Sequence, residues 1–368
     1  MILFVAVVLS RLVVPLFIPR YPLPALLAVL LIDAADQSLY ELSGALMPEG
    51  YQTFDKALDI YYLTIAYAAT IRNWAGGSAF AIGRVLWYYR LFGVVLFEHT
   101  GVRWLLLIFP NTFEFFFIGV ELLKLAGDPR RLARHQLAGI AAAIWIFIKL
   151  PQEWWLHVAR LDVTDVVKQD LFGVPAASSW RAAVENRPVA LAGLLLALLA
   201  LAALAVVLLR RVRSHDRRLS FSADRQAERL GWIRHAMRPS GRVLSWALLE
   251  KAVLVSLVTL VFAEILPGRH NIVQVFVGTS LVIVASTVLS HWLSRRGVTW
   301  QSASVQFVIM TATNLAIAAV VGLLLRSPGT FTPPGAFIFL GALLTLIVVL
   351  FDRFRYVCWH QRSRAAGT

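Results

Sequence analysis

The chain has 368 residues, 59% of them hydrophobic and only 15% charged, with a mean hydropathy of +0.70. That excludes a water-soluble globule and points to an integral membrane protein. A formal net charge of +14 would indicate nucleic acid in a soluble protein, but here the basic residues gather in alternate connections between apolar blocks, so no nucleic-acid partner is expected.

The apolar blocks have the length of about 17 to 25 residues that an α-helix needs to cross the bilayer. They lack the alternation of a transmembrane β-barrel. The expected fold is therefore an all-α polytopic bundle of about eleven spans, near 2–18, 22–42, 55–72, 79–97, 104–123, 136–150, 188–209, 246–266, 271–293, 302–325 and 335–351. The first block has no basic leader or small-residue cleavage site and is expected to stay as a span. Lys/Arg-rich connections at 124–135, 210–245 and 294–297, with the tail from Arg353, fall on one side if the spans alternate. The excess of basic residues on cytoplasmic loops then puts the C-terminus in the cytosol and the N-terminus outside, as in the plasma (inner) membrane of a prokaryote.

Two parts are expected: a polar N-terminal bundle, 1–187, with an external amphipathic segment, and an aliphatic C-terminal bundle, 188–368, with the basic cytosolic loop 210–245. In that loop Leu230, Ile233 and Met237 recur at helical spacing, so it is expected to lie on anionic headgroups or simply to set topology. The single cysteine, Cys358, excludes an intramolecular disulfide and a cysteine-based metal site.

Chemistry concentrates in the first half. The second span carries Asp33 and Asp36, one helical turn apart and on a face with Tyr40. The third begins with Asp55 and Asp59 at i, i+4. Ionisable groups at bilayer depth cost roughly 2.5 to 3.5 kcal/mol each, so they face a bundle interior or hydrated cavity and carry partners. Four neighbouring carboxylates cannot all ionise without a cation, for which Lys56, Arg84, Arg90 or a metal are candidates. In the fifth span Asn111 and Glu114 follow Pro110, which opens a kink where a polar group docks. Arg90 and Glu114 are expected to form a buried ion pair, either fixed or switchable. After Pro151, where the chain is expected to leave the membrane, Glu153 and His157 at i, i+4 offer a surface acid/base pair or metal ligands. Trp154 and Trp155 suit the headgroup belt. Farther on, Val163, Val166, Val167 and Leu171 line one face of a short external helix.

The aspartates resemble the metal-binding signature of the CDP-alcohol phosphotransferases, D-x-x-D-G-x-x-A-R-x8-G-x3-D-x3-D, with Asp33, Asp36, Asp55 and Asp59 at its four carboxylates and Gly50 at its second glycine. Gln37, Tyr40 and Glu41 depart from it, and one extra residue precedes Asp55. The resemblance covers under a tenth of the chain and implies a cytosolic site for a CDP-linked donor and two divalent metals, whereas the basic-loop pattern puts these aspartates outside. No G-x-S-x-G, H-E-x-x-H, P-loop or strand-linked G-x-G-x-x-G occurs.

Three functions fit. The preferred one is a transporter-like protein moving a small polar or charged solute, coupled to protons or cations through Asp33 and Asp36, with Asp55 and Asp59 in an external vestibule and Asn111 beside an Arg90–Glu114 switch. The second is an integral-membrane enzyme acting on a lipid or lipid-linked substrate, with Asp33, Asp36, Asp55 and Asp59 holding a divalent cation. The third is a non-catalytic scaffold subunit.

Overall fold

The computed structural model describes residues 2–42, 51–74, 77–126, 129–155, 159, 163–211, 245–265, 271–295, 303–324 and 334–365, which are all-helical with no strand among them. Helix α1 (Ile2–Val13) runs through a 3₁₀ turn at Pro15 into α2 (Pro22–Leu42). Then come α3 (Tyr51–Asn73), α4 (Ser78–Thr100), α5 (Trp104–Ile108), α6 (Thr112–Ala126), α7 (Arg134–Ile144), α8 (Leu150–Glu153), α9 (Val163–Val166), α10 (Trp180–Asn186) and α11 (Pro188–Arg211). The second half holds α12 (Trp246–Ala263), α13 (Ile272–Arg295), α14 (Ala303–Leu324) and α15 (Pro334–Ala365).

Six of these segments are long and apolar enough to cross a membrane: Ser78–Thr100, Trp104–Leu125, Trp246–Ala263, Ile272–Leu293, Ser304–Leu324 and Pro334–Arg355. Val5–Phe17 and Pro188–Ala197 are shorter apolar helices. Large apolar side chains stand exposed around the bundle, among them Leu31, Val85, Phe147, Val189, Val308 and Leu323. Such a surface is stable against acyl chains and not against water. The chain is an integral membrane protein. The expected headgroup-binding helix around Leu230, Ile233 and Met237 lies outside the described residues, as do His157, Gly50 and the Tyr40 side chain.

Local chemistry explains where the helices stop. Ser245 caps α12 by accepting from the Leu248 N–H at 3.4 Å. Gly101 ends α4 at φ +67°, its N–H bonded to the Phe97 carbonyl at 2.8 Å. The segment 104–123 is not one helix: Pro110 separates α5 from α6, with Phe109 in a non-helical conformation. Pro151, by contrast, does not end its helix. A π-helical turn, Trp145–Lys149, shifts the hydrogen-bond register so that the Leu150 N–H bonds to the Trp145 carbonyl, and the chain stays helical through the proline into α8. The segment 163–172 also turns differently from its expected valine face. Leu171 is exposed, while Lys168 and Phe172 are buried, with Lys168 5.1 Å from the Trp180 ring centroid.

Helix α3 is the axis, packing against α1, α2, α4, α12 and α15, with residues 60–71 buried without a break. One apolar core joins it to both halves of the chain: Tyr61, Tyr67, Trp87, Phe113, Phe117, Val258 and Ile347 all belong to it. Helices α13 and α14 are peripheral, with only 11% of each apolar segment buried, against 72% for α12.

The α4–α5 contact has no spare room. A Cβ on Gly93 would lie 2.1 Å from the Phe109 Cβ, whereas one on Gly139 of α7 meets nothing within 4 Å. Gly93→Ala is expected to lower stability by about 1–3 kcal/mol, and Gly139→Ala to leave it unchanged or higher. Thermal unfolding in detergent micelles checks both.

Candidate functional site

The four aspartates converge, and what they converge on is Arg11. This arginine, the one charged residue of α1, is 4% exposed. Its Nη1 donates to Asp36 at 2.6 Å and to Asp55, and its Nη2 donates to Asp59 at 2.9 Å and to Asp33. Helix periodicity explains the arrangement: D-x-x-D on α2 and D-x-x-x-D on α3 each place two carboxylates on one face, and the two helices pack side by side. Asp36 is buried with the guanidinium, while the side chains of Asp33, Asp55 and Asp59 are 29%, 36% and 30% exposed. One positive charge thus faces four carboxylates, three of them partly exposed. Neither Lys56 nor Arg84 nor Arg90 is the counter-ion. Lys56 stands 3.9 Å from Glu98 and over the Phe97 ring.

One oxygen from each of Asp33, Asp55 and Asp59 lies within 4.8 Å of the others, a spacing able to hold a metal ion. Hard oxygen donors of this kind suit a divalent cation such as Mg²⁺ or Ca²⁺. The guanidinium, however, already bonds to all four carboxylates, so a metal there has to displace or adjoin Arg11.

One turn along α3 from Asp59 a second polar layer begins. The Tyr62 hydroxyl donates to Glu114 Oε2 at 2.6 Å, and so does Asn111 Nδ2. Lys149 Nζ stands 3.8 Å from Glu114 Oε1, and Arg90 Nη1 stands 4.0 Å from Glu153 Oε1. The expected Arg90–Glu114 pair is therefore replaced by two others, because the π turn swings Lys149 and Glu153 inward between α4 and α6. Glu153 is buried and accepts from the Asn111 backbone N–H at 3.3 Å, so it is not half of a surface pair. The kink at Pro110 does receive a polar group: Arg90 Nη1 donates to the Phe109 carbonyl at 2.9 Å.

Farther along α3, Tyr67 donates to Glu250 of α12, which also bonds Arg355 of α15 and stands 4.0 Å from Arg84. Lys251 pairs with Asp352 at 2.9 Å. Trp74 Nε1 and Lys124 both donate to Glu121 at 2.7 Å. At the end of α3, Arg72 and Asn73 both donate to the Pro19 carbonyl.

Comparison of the chain with protein-family models, with curated proteins and with solved structures finds no match.

Arg11 is the residue that sequence reasoning missed, although it is a lone charge inside an apolar block, the same signal that marks the aspartates. Arg11→Ala strands four carboxylates around an empty seat and is expected to destabilise the protein by about 3–5 kcal/mol at neutral pH. Acidification should recover part of that loss, because protonated carboxyls do not repel one another. Arg11→Lys should recover less than the wild type, since an ammonium lacks the planar fork that spans four acceptors. Thermal unfolding across pH measures this, and an Arg11→Ala protein as stable as wild type at neutral pH refutes it.

Proposed function

We propose that this chain is a transporter-like integral membrane protein that moves a small polar or charged solute, coupled to protons or cations through Asp33, Asp36, Asp55 and Asp59. The observation that carries the reading is one buried guanidinium shared by four carboxylates, three of them partly exposed. A proton or cation entering from the exposed side neutralises the outer carboxylates and weakens their hold on Arg11. The clamp between α1 and the α2–α3 pair then loosens. A ligand shifts such an equilibrium only by binding one state better than the other, and here Arg11 and the incoming cation compete for the same oxygens.

The topology we propose has eleven spans with the N-terminus outside and the C-terminus cytosolic, in the inner membrane of a prokaryote, and with the 210–245 loop on anionic headgroups. It is supported by the side chains that meet at the far end of α3: Arg72, Arg84, Lys251 and Arg355 are all at that end, away from the aspartates. The polar 1–187 part carries the site and the aliphatic 188–368 part supports it. A second reading, an enzyme acting on a lipid or lipid-linked substrate, is favoured by the metal-sized spacing of Asp33, Asp55 and Asp59. A scaffold subunit requires neither a water path nor a cation.

Replacing the one cysteine by serine leaves a thiol-free background for labelling. Single cysteines in place of Asp33 and Asp55, probed in oriented vesicles with a membrane-impermeant maleimide, are expected to label from both sides with pH-dependent rates. Labelling from one side at every pH excludes alternating access. One-sided labelling with stoichiometric Mn²⁺ bound in detergent, and lost in Asp59→Asn, supports the enzyme instead.

A further inference from the structure

Two interrupted helices meet at the second polar layer. The break between α5 and α6 at Phe109–Asn111 and the π turn at Trp145–Lys149 both face it, and each is a departure from regular helix of the kind that recurs at functional sites. The layer is deep. Asn111 lies about 10 Å along the Trp104–Leu125 segment at 1.5 Å per residue, and Arg90 is near the middle of α4.

The charges in this layer balance, with Glu114 and Glu153 against Lys149 and Arg90, unlike the acidic excess around Arg11. Neither ion pair closes to the 2.7–2.9 Å of a charge-assisted hydrogen bond; they stand at 3.8 and 4.0 Å. On the charged and amide side chains of this layer, two buried atoms have no hydrogen-bond partner: Asn111 Oδ1, an acceptor on a residue 8% exposed, and Arg90 Nε, a donor. Asn111 Nδ2 is committed to Glu114 and Arg90 Nη1 to the Phe109 carbonyl. A ligand that satisfies both brings one acceptor and one donor, and the balanced charge of the layer favours one with no net charge.

We infer that this layer, between the α5–α6 break and the π turn, is the solute site of the transporter proposed above, and that the solute is a small zwitterion carrying one carboxylate and one ammonium, as an α-amino acid does. The carboxylate bonds to Arg90 Nε, and the ammonium bonds to Asn111 Oδ1 within the field of Glu114 and Glu153. The arrangement is a membrane version of interrupted helices binding a solute at mid-depth. Tyr62, bonded to Glu114 and one turn from Asp59, links this layer to the aspartate cluster.

The full-length protein in detergent is titrated singly with glycine, L-alanine, L-serine and β-alanine, and with acetate, methylammonium and glycerol as part-ligands. Calorimetry and thermal shift are read. At least one zwitterion should bind saturably and raise the melting temperature, with the part-ligands at least tenfold weaker. Arg90→Gln and Asn111→Leu should each weaken that binding at least tenfold. The inference is overturned by no zwitterion binding, by part-ligands binding equally well, or by a folded Asn111→Leu protein that binds as wild type does. The ligand comparison on the wild type keeps the test decisive if a variant fails to fold. Failure here with two-sided cysteine labelling intact removes the solute class and leaves transport standing. Zwitterion binding without two-sided labelling keeps the site and removes transport.

Discussion

The constraint on which this molecule depends is the neutralisation of charge where water is scarce. An isolated carboxylate or guanidinium is costly in a bilayer and becomes tolerable only when paired. Four carboxylates from two helices share one guanidinium from a third, so α1, α2 and α3 cannot be placed independently of one another. At the opposite end Arg72 and Asn73 of α3 hold the carbonyl of Pro19, where α1 turns into α2. The three helices are thereby fixed at both ends, and Tyr61 adds a bond to the Leu12 carbonyl between them.

That fixed trio lets α3 organise the remainder. Its polar side chains come in layers, and each layer speaks to a different neighbour: Asp55 and Asp59 to α1, Tyr62 to α6, Tyr67 to α12. Between the layers the packing is aromatic and dense, with Tyr67 stacked on Trp87 at 6.2 Å between centroids and Trp87 against Phe113 at 5.7 Å. The polar contacts set which helix sits where, and the rings exclude lipid and water from the spaces between. The result is a polar column inside an apolar sleeve, graded from an acidic, partly exposed end through a charge-balanced middle to an arginine-rich end.

Much of this could be read from the chain. The apolar blocks announce helices because bilayer thickness sets their length, and the described blocks are helical apart from the break at Phe109–Asn111 in 104–123. The meeting of Asp33, Asp36, Asp55 and Asp59 followed from three- and four-residue spacing on consecutive helices. What sequence does not carry is rotation about each helix axis. Depth alone made Arg90 and Glu114 look like partners, whereas rotation gives Glu114 to Lys149 and Glu153 to Arg90. The rotation of the last two depends on the π turn, which has no sequence mark of its own. At Pro151 the missing N–H is visible in sequence, and the register shift that accommodates it is not. Arg11 was legible by the rule applied to the aspartates, and was passed over because its block looked otherwise uniformly apolar.

The burial of α3 on every side also bears on how the protein is made. Two aspartates, a lysine and three interior tyrosines keep this helix off the set that is apolar enough to cross a membrane unaided. Offered singly to the lipid by the insertion machinery, it gains too little from its apolar residues to offset about 2.5–3.5 kcal/mol for each charge. For α3 to reside stably in the bilayer, Arg11 and the flanking helices have to be beside it, and of these α1 and α2 precede it in the chain.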